Sequence, residues 1–70
     1  HIYGDEKCIV ECEIIEELGY FFKLRVYYLH KIKICTIHRY FLKFLSKNSE
    51  KDNILAEIPE WLLNKIGFRE

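Results

Sequence analysis

The hydrophobic period changes partway along residues 20–47. Tyr20, Phe22, Leu24, Val26 and Tyr28 alternate with Phe21, Lys23, Arg25 and Tyr27, which is strand spacing. Ile37, Tyr40, Phe41, Phe44 and Leu45 then fall at i, i+3, i+4, i+7 and i+8, one face of a helix. The spacing therefore predicts a passage from sheet to helix near His38-Arg39-Tyr40. The same stretch carries seven Lys or Arg residues, no Asp or Glu, and eight of the eleven aromatics.

Upstream, Lys7 to Glu16 also alternates, with Cys8, Val10, Cys12 and Ile14 on one face and Glu11 and Glu13 on the other. A helix from Asp5 is the alternative, because Cys8, Cys12 and Ile15 also fit helical spacing. Charge pairing favours the strand. If Glu17-Leu18-Gly19 is a three-residue hairpin loop, Gly19 takes the left-handed position and Glu16 faces Tyr20. Glu13 then faces Lys23 and Glu11 faces Arg25. On the opposite face Ile14 meets Phe22, Cys12 meets Leu24 and Val10 meets Val26. Every pair is matched in kind, and a one-residue slip would destroy them all.

Strand two is expected to end near Leu29, with His30-Lys31 in a turn and Lys31 to Ile37 as strand three. A helix is expected over about 38–47 and a linker over 48–57, where Ser49-x-x-Asp52 has the form of a helix cap. A second helix is expected over 60–66, with Pro59 at its start, Gly67 just past its end and Phe68 folding back. Its buried stripe is Ile58, Leu62, Leu63 and Ile66, with Trp61 off the stripe. The expected fold is α+β: one domain over 1–70, frayed over 1–6. It is a three-stranded antiparallel meander followed by two short helices packed on one face.

Net charge is zero, but it is segregated: acidic ends flank a basic middle. Such a middle is either paired internally or presented to an anionic partner. Half the chain is hydrophobic and 16% is aromatic, more than one small core readily hides, so a partner or a homo-oligomer is expected. No apolar run is long enough for a transmembrane helix, and no signal peptide opens the chain. Three cysteines, an odd number, then imply free reduced thiols in a cytoplasmic setting, with at least two of the three buried.

Four constellations carry potential chemistry. Cys8, Cys12, Cys35 and His38 are soft zinc ligands, but on a strand Cys8 and Cys12 lie ~13 Å apart, so no metal is expected. Cys35 with His38 or His30 is a thiol and a base without an oxyanion site, so no catalysis is expected and no cofactor is implied. Lys23, Arg25, Lys31 and Lys33, with Phe21 and Tyr27 among them, form a basic aromatic face suited to single-stranded nucleic acid. Arg39, in the first turn of the expected helix, suits an anion, with Lys31, Lys33, Lys43 and Lys65 adding charge.

At this junction the chain resembles the phox-homology (PX) domain, a phosphoinositide-binding family. That family has a three-stranded antiparallel sheet, then a helix, then a proline-containing loop facing the membrane. His38-Arg39-Tyr40 stands where the family has Arg-Arg-Tyr, and FFKLRVYY looks like its second strand. The resemblance implies that Arg39 grips a phosphate, Tyr40 packs under the inositol ring and Lys65 adds the basic residue after the loop at Pro59. His38 replaces the first motif arginine, and Lys43 stands where the family has an aromatic. The expectation is a non-enzymatic binding module, peripheral to a membrane, for an anionic phosphate ligand at Arg39, Tyr40, Lys65, Lys33 and Lys43. The alternatives are a protein–protein or homo-oligomerisation module, or single-stranded nucleic-acid binding on the sheet.

Overall fold

The computed structural model describes residues 6–47 and 53–68. The expectations for residues 1–5 and for the Ser49-Asp52 cap lie outside the described residues. Five antiparallel strands form one sheet: β1 (Lys7–Leu18), β2 (Phe21–Tyr28), β3 (Lys31–His38), β4 (Lys43–Lys47) and β5 (Asn53–Pro59), in the order β3-β2-β1-β5-β4. Among the described residues one α-helix, α1 (Glu60–Ile66), follows β5. This corrects the expected three strands and two helices. Residues 7–16 are strand, as the charge pattern favoured.

The helix expected over 38–47 is instead a single 3-10 turn, Arg39–Phe41, followed by β4. A ten-residue helix is marginal on its own, so what packs beside it decides its conformation. Here β5 offers an unpaired edge, and β4 takes it, with Phe44 opposite Ala56 and Lys47 opposite Ile54. Much of the expected linker is β5 itself. Its Ile54, Ala56 and Ile58 alternate with Leu55 and Glu57, and it pairs along β1 from Cys8↔Ile58 to Glu13↔Asn53.

The β1–β2 hairpin forms, but in another register. Gly19-Tyr20 is a two-residue turn with Leu18 opposite Phe21, and Gly19 has φ 74°. A bulge between Ile14 and Glu16 absorbs one further residue. Glu13 therefore faces Arg25 rather than Lys23, Cys12 faces Val26 rather than Leu24, and Glu11 faces Tyr27. Up to the bulge each partner is displaced by two, which leaves those side chains on their expected face. Beyond it Glu16 faces Lys23 rather than Tyr20, a displacement of three that carries it to the other face.

The second hairpin turns at Leu29-His30, with Tyr28 opposite Lys31. Both turn residues have positive φ, 51° and 61°, which a two-residue hairpin of right-handed twist demands even without Gly or Asn. This turn fixes the facing of β3: Ile37, Cys35, Lys33 and Lys31 share the side of Phe22, Leu24, Val26 and Tyr28.

On that side Val10, Cys12, Leu24, Val26, Ile37, Ala56 and Ile58 form the core, closed by Leu63 and Phe68. Gly67 ends α1 in the left-handed conformation and its N–H donates to the Leu63 and Asn64 carbonyls. Phe68 folds back, its N–H donating to the Leu63 carbonyl at 3.0 Å, and its ring meets Tyr28 edge to face. Lys31 Nζ donates to the Phe68 carbonyl at 3.3 Å, and the Lys33 ammonium lies against Gly67. Both cations thus sit at the negative end of the helix. Phe22 and Phe44 meet edge to face at 5.3 Å, although β1 and β5 lie between their strands, so the sheet curls toward the helix side. Among the described residues no element covers the other side.

Candidate functional site

The β1–β2 turn and the end of β3 are clipped together. The Arg39 backbone N–H donates to the Tyr20 carbonyl at 2.8 Å, just beyond the Phe21↔His38 pair. The chain then tightens: Tyr40 N–H donates to His38 Nδ1 at 3.0 Å, and Leu42 N–H to the Arg39 carbonyl at 3.2 Å. Accepting at Nδ1 puts the proton of a neutral His38 ring on Nε2.

Around this clip lies an open depression of about 680 Å³, lined by Tyr20, Phe22, His38, Arg39, Tyr40, Leu42 and Phe44. It sits at the end of the sheet opposite the Leu29-His30 turn. The Tyr20 and His38 rings are parallel within 4°, centroids 6.2 Å apart. The Arg39 guanidinium carbon is 4.9 Å from the Tyr20 ring centre. That contact holds the guanidinium in place without neutralising it. Among the described residues no carboxylate lines the depression. Tyr40 stands at the rim, 82% exposed. Below it Phe41 meets Tyr40, His38 and Trp61 edge to face, which anchors the turn to α1.

Of the five residues expected to bind ligand, Arg39 and Tyr40 line this depression and Lys33, Lys43 and Lys65 do not. Lys33 is held at Gly67, Lys43 opens β4 opposite Glu57, and Lys65 lies exposed on α1. Arg39 heads a three-residue 3-10 turn rather than the first turn of a helix, so the expected helix-dipole contribution is absent from its surroundings. Tyr20, Phe22, Leu42 and Phe44 were not singled out as site residues. A signal for Tyr20 was present: a two-residue turn at 29–30 makes Phe21 pair with His38, and that brings Tyr20 to Arg39.

The basic aromatic face is also divided. Lys23 and Arg25 lie on the open side with Phe21 and Tyr27, whereas Lys31 and Lys33 lie on the helix side. Arg25 donates to Glu13 at 3.1 Å, and that hydrogen bond raises its pKa further; the Tyr27 hydroxyl donates to the same carboxylate. Glu11 accepts from Asn53.

Cys8, Cys12 and Cys35 are free thiols, but Cys12 alone is fully buried and the other two are half-buried. Burial pushes the Cys12 thiol up to about 11, helped by Cys35 and Glu11, and burial also raises Cys35. Among the described residues no three His, Cys, Asp or Glu groups converge as metal ligands, and no helix is long and apolar enough to cross a membrane. No protein-family model, curated protein or solved structure matches the chain.

Proposed function

We propose that the domain is a non-catalytic binding module that takes an anionic phosphate group at Arg39. One observation carries this reading: the guanidinium rests on an aromatic ring, with no carboxylate among the described residues that line the same depression. A planar guanidinium grips a phosphate by paired charge-assisted hydrogen bonds, and an apolar surround strengthens them. His38 Nε2–H adds a donor, and Tyr20, Phe22 and Phe44 supply a surface for the body of the ligand. A lone guanidinium favours one phosphate over several, and a phosphatidylinositol monophosphate headgroup at a cytoplasmic membrane surface is the source we favour.

Vesicle co-sedimentation tests this with phosphatidylinositol monophosphate, phosphatidylinositol bisphosphate and phosphatidylserine side by side. Monophosphate vesicles should retain the protein best. Arg39→Ala should weaken binding by about 2–5 kcal/mol, and Arg39→Lys should fail nearly as badly, because an ammonium lacks the fork. Equal binding by Arg39→Ala and the wild type would overturn the assignment.

A further inference from the structure

The two edges of the sheet are defended very differently. β4 is five residues long, carries Lys at both ends and is broken by a register shift between Phe44 and Ser46. Short length, lysines and bulges are the usual protections of a free edge. β3 is eight residues long and pairs with β2 without interruption from Phe21↔His38 to Tyr28↔Lys31. It has no bulge and no proline. Its two lysines, which point to the helix side, are held at the C-terminal end of α1. Toward the open side it shows Ile32 and Ile34, 63% and 57% exposed.

We infer that β3 is a self-association edge, on which a second copy of the chain adds its own β3 antiparallel to make a continuous ten-stranded sheet. A two-fold axis normal to the sheet keeps the open sides together only if paired residue numbers sum to an even number. With Ile34 opposite the partner's Ile34, Ile32 meets the partner's Thr36 and Lys33 meets the partner's Cys35. Lys31 then meets the partner's Ile37, and no like charges are opposed. A shift that sets Lys33 against the partner's Lys33 opposes two ammonium groups, which selects the first register over this one. The net charge of zero removes long-range repulsion between copies. A ladder about 24 Å long buries less than the ~800 Å² per partner of a standard interface, so the dimer is a weak one, formed at micromolar concentrations and above.

Sedimentation of the full chain from roughly ten to several hundred micromolar tests this. The mass should rise from 8.6 kDa toward twice that value. Ile34→Lys should weaken association at least tenfold, whereas Ile9→Lys, on the same open side but on β1, should leave it unchanged. Hydrogen exchange of the wild type gives a readout that needs no variant: amides of 31–38 should gain protection with concentration, and those of 43–47 should not. A constant 8.6 kDa mass overturns the inference. So does a dimer lost by Ile9→Lys and kept by Ile34→Lys, which would mean stacking of the open sides, or exchange protection that does not change with concentration.

Discussion

On the helix side of the sheet, Val10, Leu24, Val26 and Ile58 are at most 2% exposed; on the other, Ile9, Ile32, Ile34 and Leu55 keep between 44% and 63% of their surface in water. The residue types are nearly the same. Hydrophobicity therefore did not decide which of them became core. Turn length did. A two-residue turn at Leu29-His30 makes Tyr28 face Lys31, and alternation then sends Lys33 inward and Ile34 outward. The inward lysines are tolerated because α1 ends beside them: Lys31 donates to the Phe68 carbonyl just past the helix, and the Lys33 ammonium lies at Gly67. The outward isoleucines have no such compensation among the described residues, and that is what points to a second copy at β3.

The largest test of this contrast pairs Leu24→Ala with Ile34→Ala in urea unfolding. Leu24 is fully buried, so its truncation should cost about 2–5 kcal/mol, a large share of the stability of a domain this small. Ile34→Ala should change monomer stability by less than ~0.5 kcal/mol. Comparable losses would mean that the open side is packed in solution.

A second test uses the thiol on the buried side. Cys12 has its folded pKa raised from 9.0 to about 11, so the folded state holds its proton where the unfolded chain has lost it. Stability from this source is fully present below pH 9 and is lost as pH rises toward 11. Melting temperature should fall across that window, and Cys12→Ala should remove that part of the fall. A wild type and a Cys12→Ala variant with the same pH profile would mean that the helix side admits water.

The smallest effect concerns the turn that sets the facing. Leu29 and His30 both occupy the left-handed region, which suits Asn and Gly far better. The double variant Leu29→Asn, His30→Gly should stabilise the domain by about 1 kcal/mol without changing the fold. A loss of stability would show that these side chains make contacts that outweigh the strain.

The sequence by itself determined the alternation of β1 and β2, the side on which their residues sit up to the bulge at Ile14, the left-handed Gly19 and the ending of α1 at Gly67 with Phe68 folded back. Each is local: strand parity, a turn that needs a residue without Cβ, a helix that needs a stop. Only the tertiary structure decided the register of β1–β2, because a shift of two preserves the faces of residues 10–14 and costs their pattern nothing, and it alone placed the bulge that turns Glu16 to the other face. It also decided the fate of residues 43–47. Ile37, Tyr40, Phe41, Phe44 and Leu45 carry a helical period, yet the free edge of β5 gives that backbone partners no isolated helix can match. The pocket follows from the same long-range pairing: Arg39 was visible in the sequence, but its neighbours Tyr20, Phe22 and Phe44 reach it only because the strands pair and the sheet curls.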